Sequence, residues 1–223
     1  MPEYVMPAGE GITEVGESAF KDFGSLRSLV VSEGVSVIGD YAFSEMYNLQ
    51  YLELPTTVTD LGTRLTSSCR QLEEIFLKAR PRTPTPTDNE TFDGDSGCPI
   101  YVPYRTLSDY ETAQEWNSSH ALSRFKAKVY TIHFKTIDRS LAFSDDQKAC
   151  FKNSNGAPAE FVGQSEYQRC GLYDKNGVIY EEVKADLIFG EPVTLIAEGA
   201  IVGQENLVSL TIPECVQDVS QGA

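Results

Sequence analysis

Residues 34–56 read Gly34-Val35-Ser36-Val37-Ile38-Gly39-Asp40-Tyr41-Ala42-Phe43-Ser44-Glu45-Met46-Tyr47-Asn48-Leu49-Gln50-Tyr51-Leu52-Glu53-Leu54-Pro55-Thr56, and this stretch decides the fold. Its Val35, Ile38, Gly39, Ala42, Phe43, Met46, Leu49, Leu52 and Leu54 each stand 23 residues after Ile12, Val15, Gly16, Ala19, Phe20, Phe23, Leu26, Leu29 and Val31. A third copy follows at once as Val58, Leu61, Gly62, Leu65, Thr66, Cys69, Leu72, Ile75 and Leu77. Far downstream the pattern returns as Val193, Ile196, Ala197, Ala200, Ile201, Leu207, Leu210, Ile212 and Pro213, and Val216 and Val219 open another copy. A fixed period of this length is the mark of stacked coils, each of which buries its apolar face against its neighbours.

Within a copy, the spacing of Leu49, Leu52 and Leu54 ends in a period-2 alternation, which suits a short strand with one buried face. Pro55 and Pro213 follow the last strand residue, where the chain leaves the sheet and a missing backbone donor costs least. The stretch Gly39 to Phe43 places a flexible residue before a short helical or 3₁₀ turn whose Ala and Phe point inward. Stacking these copies predicts continuous ladders: Ile12, Val35 and Val58 on one, Leu26, Leu49 and Leu72 on another, Phe23, Met46 and Cys69 on a third. Cys69 is thereby read as a small core hydrophobe.

The string Val-x-x-Ile-Gly-x-x-Ala-Phe-x-x-Met-x-x-Leu-x-x-Leu-x-Leu-Pro, running from Val35 to Pro55, resembles the BspA-type leucine-rich repeats found in surface proteins of host-associated bacteria and some protists. The third copy departs from it, with Leu65-Thr66 where Ala-Phe is expected. Ile100-Tyr101-Val102-Pro103, with Tyr110 and Trp116, is similar to the segment that closes such arrays. The resemblance covers about residues 4–128 and 191–223. It implies a leucine-rich-repeat solenoid, mainly β, located outside the cell or at its surface, and a non-enzymatic role in adhesion to host proteins or other cells.

Three parts are expected: a repeat block with its closing loop and cap over residues 1–128, a β-rich connector or small subdomain over 129–190, and the start of a second repeat block over 191–223. In the first part, the Pro- and Thr-rich residues 80–97 read as a loop. Tyr110, Ala113 and Trp116 have helical spacing and predict a short helix that packs Trp116 on the solenoid end. In the second, Val129 to Phe134 and Val178 to Tyr180 are rich in strand formers, and Asn176-Gly177 is a hairpin signal. Both ends of the chain cut through a copy, so the sequence is expected to be a piece of a longer protein.

Acidic residues outnumber basic ones 33 to 18, for a net charge of −15, which disfavours nucleic acid and anionic membranes as partners. No stretch is apolar enough for a membrane span. The five cysteines are scattered and odd in number and form no disulfide framework; either Cys150 pairs with Cys170 or, as expected, all five are free thiols.

No constellation of catalytic or cofactor-binding residues emerges. His120 and His133 have no Cys, Asp or Glu at metal-ligand spacing. Ser119, His120 and Asp109 form a Ser/His/Asp set on paper only, since no nucleophile elbow supports them. The acidic run from Asp88 to Asp95 invites a calcium reading, but with Gly94 as the loop glycine Ile100 falls where a bidentate Glu belongs. A solvated loop is the simpler reading. Asn89-Glu90-Thr91 and Asn117-Ser118-Ser119 are glycosylation sequons.

The remaining chemistry lies between the ladders. Tyr51 and Glu53 in one copy and Glu74 and Phe76 in the next are the candidate binding residues, since aromatics on a rigid surface carry much of the energy of interfaces. Tyr51 and Phe76 serve either as anchors or as packing for an adjoining loop. A protein or glycan partner is expected, with no cofactor and no metal. The alternative is an accessory or spacer array attached to an enzyme or other domain outside this sequence.

Overall fold

In the first unit each copy of the repeat forms two short strands joined by a run of turns, and like strands pair in parallel from copy to copy. The computed structural model describes residues 3–6, 11–79, 84–116, 119–137, 141–165, 168–175 and 178–223. They fall into two units, Met1–Lys128 and Val129–Ala223.

In the first unit the strands are β1 (Glu3–Val5), β2 (Glu14–Val15), β3 (Ser28–Val30), β4 (Val37–Ile38), β5 (Tyr51–Leu54), β6 (Asp60–Leu61), β7 (Glu74–Leu77), β8 (Thr85–Pro86), β9 (Ile100–Pro103) and β10 (Phe125–Lys128). They build a six-stranded parallel sheet, β1-β3-β5-β7-β9-β10, and a second sheet of two-residue strands, β2-β4-β6-β8. The register repeats the sequence period: Glu14 faces Val37, Val37 faces Asp60, and Leu29 faces Leu52.

Between the sheets lies one core holding Leu29, Val35, Ile38, Phe43, Met46, Leu49, Leu52 and Ile75, all essentially without exposed surface. Phe43 packs on Phe20 with ring centres 5.9 Å apart. Cys69 is buried, its thiol donates to the Phe43 carbonyl at 3.1 Å, and burial pushes its pKa up to about 12. Two residues that spacing assigns to the ladders depart from this pattern. Ile12 is 38% exposed and Phe23 is 52% exposed: among the described residues β2 of their coil pairs with β4 alone, and on that open side only the three-residue β1 lies against β3.

Close stacking explains two of the glycines. A Cβ on Gly39 would meet the Glu17 amide nitrogen at 2.6 Å, and one on Gly62 would meet the Asp40 nitrogen at 2.5 Å. Gly16, at the same place in the first copy, has nothing within 4 Å of such a Cβ. The turns also hold periodic left-handed residues: Ser18, Tyr41 and Arg64 form one column, Asp22, Glu45 and Ser68 another. In the second unit glycine occupies the same places, at Gly199, Gly203 and Gly222.

The stretch that reads as a loop instead contributes a fourth coil. Thr85 pairs with Asp60 and Pro86 with Leu61, Phe92 is buried, and Ile100 pairs with Ile75. The partners are 25 residues apart here rather than 23, and that insertion together with the prolines hides the coil from a period search. As expected, the end of the core is closed by aromatics. Helix α1 (Leu107–Thr112) and a 3₁₀ turn (Gln114–Trp116) seat Tyr110 and Trp116 with no exposed surface. Trp116 stacks on Phe92 at 6.2 Å, meets Phe125 edge-on at 5.1 Å, and donates its Nε1–H to the Pro84 carbonyl.

In the second unit the strands are β11 (Tyr130–Thr136), β12 (Phe151–Lys152), β13 (Phe161–Gln164), β14 (Gln168–Lys175), β15 (Val178–Phe189), β16 (Leu195–Ile196), β17 (Leu207–Thr211) and β18 (Asp218–Val219), with helix α2 at Asp145–Lys148. β14 and β15 form the expected antiparallel hairpin arms, Lys175 facing Val178, while Asn176 and Gly177 lie outside the described residues. β16 and β18 pair in parallel 23 residues apart, as in the first unit. β17 differs, pairing antiparallel with β11, and β12 pairs antiparallel with β16. Residues 191–223 thereby share one core with the preceding segment, in which Phe134, Phe151 and Phe189 from one part meet Val193, Ile196 and Ala200 from the other.

Candidate functional site

Pleating of the six-stranded sheet sends Leu29, Leu52, Leu54, Ile75 and Leu77 into the core and the alternate residues outward. Parallel register then aligns the outward residues in columns. One column runs Ser28, Tyr51, Glu74, and the next runs Val30, Glu53, Phe76, Tyr101, Lys126. The four candidate residues therefore lie side by side, Tyr51 facing Glu74 and Glu53 facing Phe76. All four are half-buried rather than open.

Two lysines reach onto this face. Lys78 Nζ lies 2.9 Å from Glu53 Oε1 and 3.4 Å from Glu33 Oε1. Lys128 Nζ lies 2.7 Å from Glu74 Oε1, 4.6 Å from the centre of the Tyr101 ring and 5.6 Å from that of Phe76. The Tyr51 hydroxyl donates to Glu53 Oε2 at 2.6 Å. Burial opposes the charge on Lys78, but the hydrogen bond and attraction to Glu53, aided by Glu33, outweigh it and raise its pKa. Burial likewise opposes the charge on Glu33. The Thr56 hydroxyl and amide, with Lys78, outweigh burial and lower the Glu33 pKa. The face is a lattice of carboxylates, aromatic rings and ammonium groups held by a rigid sheet.

Sequence reading did not find Lys78, Tyr101 or Lys128. The alternation Ile100-Tyr101-Val102 carries a signal for Tyr101 as an outward residue. Nothing local marks Lys128, which reaches Glu74 from 54 residues away along the chain.

The acidic run and the two histidines singled out above are paired for structure. The acidic run is divided among separate partners: Asp95 accepts from Arg124, Thr66 and the Gly97 amide, Asp93 meets His120, and Glu90 meets Arg64. Ile100, which the calcium alignment would place at the bidentate position, is buried in β9. Arg124 also donates to the Phe92 and Cys98 carbonyls, so it fastens the closing segment to the fourth coil. His120 takes Asp93 through Nδ1 at 2.6 Å and not Asp109, while Ser119 Oγ accepts the Ala121 amide. His133 pairs with Asp186 at 2.8 Å across β11 and β15. Sequence spacing missed both carboxylate partners because each is brought in by strand or coil pairing. Among the described residues no three His, Cys, Asp or Glu side chains converge to hold a metal, and no helix is long and apolar enough to cross a membrane. The five cysteines are free thiols.

A parallel stack of strand-turn coils with a 23-residue repeat and an inward leucine ladder defines a leucine-rich-repeat solenoid, a class whose extended surface serves protein interaction. The family model of the BspA type Leucine rich repeat region (6 copies) matches residues 5–96, and this part of the chain is such a region. Comparison with curated proteins and with solved structures gives no match.

Proposed function

We propose that this chain is a non-enzymatic interaction protein of the cell surface, and that the outward face of its six-stranded sheet holds a protein partner. The observation that carries this reading is the register that sets Tyr51 beside Glu74 and Glu53 beside Phe76 on one continuous parallel sheet. Aromatic rings fixed on a rigid scaffold bind at little entropic cost, and the flanking carboxylates supply specificity. The surface location and an adhesive role toward host matrix or other cells follow from the family resemblance.

The test is a binding screen of the intact chain against matrix and cell-surface proteins, repeated with the double variant Tyr51→Ser/Phe76→Ser. Binding should fall at least tenfold, roughly the loss of one to two interface anchors, while the thermal melt stays in place because neither residue belongs to an inward ladder. Undiminished binding by the double variant places the site elsewhere. Absence of any saturable partner makes the array a spacer.

A further inference from the structure

On the proposed face the ammonium of Lys128 sits where a ligand would sit. One carboxylate, Glu74, contacts it at 2.7 Å, and the rings of Tyr101 and Phe76 lie beneath it at 4.6 and 5.6 Å. A carboxylate set over two aromatic faces selects a cation, since ring quadrupoles and the anion attract the same charge. The groups forming this box belong to β7 and β9, whereas Lys128 is the last residue of β10. Its ammonium is carried on a flexible four-carbon stem, so it can leave the box without any change in the sheet. The net charge of −15 draws basic partners toward the chain as a whole.

We propose that the box of Glu74, Phe76 and Tyr101 takes a lysine side chain of a basic partner segment, and that Lys128 is an intramolecular stand-in which the partner displaces. This rests on the reading of the sheet face as the binding surface and adds the chemistry of the partner and a built-in competitor. Exchange of one ammonium for another preserves the salt bridge and both cation–π contacts. The partner's apparent affinity is then reduced by the fraction of time that Lys128 fills the box.

The experiment measures binding of a short lysine-rich peptide, with a glutamate-rich peptide as control, to the whole chain and to Lys128→Ala and Lys128→Gln. Both variants should bind the lysine-rich peptide about tenfold more tightly than the parent, as expected if the internal ammonium occupies the box about nine-tenths of the time. Adding Glu74→Gln should cancel the gain. Lys21→Ala removes the same charge from an ion pair with Glu45 away from this face, and should leave the affinity unchanged. An equal gain in Lys21→Ala, no gain at Lys128, or no binding of the lysine-rich peptide overturns the proposal. If it falls while Tyr51→Ser/Phe76→Ser still abolishes binding of a protein partner, the face stands and only its cation chemistry is lost.

Discussion

Ile12 and Val193 hold the same place in the repeat, yet Ile12 is 38% exposed and Val193 has no exposed surface. The difference lies in the neighbours. In the first unit β2 pairs with β4 alone, so the first coil leaves one side of its ladder uncovered among the described residues. In the second unit the equivalent strand β16 lies between β18 and the antiparallel β12, and β11 runs beside β17. Strands from residues 129–190 thus do for the second set of coils what a preceding coil would do. A repeat specifies which residues face inward, but burial depends on what stacks on them. The antiparallel strands also cover sheet edges that would otherwise present unpaired backbone groups.

The largest effect should come from an interior rung. Phe43→Ala removes a ring enclosed between coils and should cost about 3–5 kcal/mol in chemical denaturation. A loss below about 1 kcal/mol would mean that the rung carries little of the packing assigned to it. Next comes the glycine column. Gly39→Ala forces a methyl group against the backbone of the preceding coil and should cost about 3 kcal/mol, whereas Gly16→Ala, facing no coil, should stay within about 0.5 kcal/mol of the parent. Equal costs at the two positions would show that coil contact is not what glycine serves here. The smallest effect contrasts the two units directly. Val193→Ala should cost about 2 kcal/mol, and Ile12→Ala should cost less than about 1 kcal/mol although it removes more carbon. A reversal of that order would break the account of the covering strands.

The repeat was legible because its information is periodic. Buried positions recur every 23 residues, so Phe43, Met46, Leu49 and Leu52 identify one another, and Tyr110 and Trp116 announce a cap by helical spacing. The fourth coil escaped because two extra residues shift its register and prolines interrupt it. In the third coil Thr66 stands where Phe is expected and donates to Asp95, which Arg124 also holds. The pair of columns on the sheet face was legible for the same reason as the core, since pleating and parallel register follow from the alternation.

By itself, the sequence determined the period, the inward ladders, the turn positions and the adjacency of Tyr51, Glu53, Glu74 and Phe76, because each follows from local spacing repeated along the chain. Only the tertiary structure decided that β17 runs antiparallel to β11, that His120 and His133 each meet an aspartate, and that Lys128 closes over Glu74, Phe76 and Tyr101. Such choices depend on where distant segments arrive and how far a flexible side chain reaches. Neither distance is written in the spacing of residues along one chain.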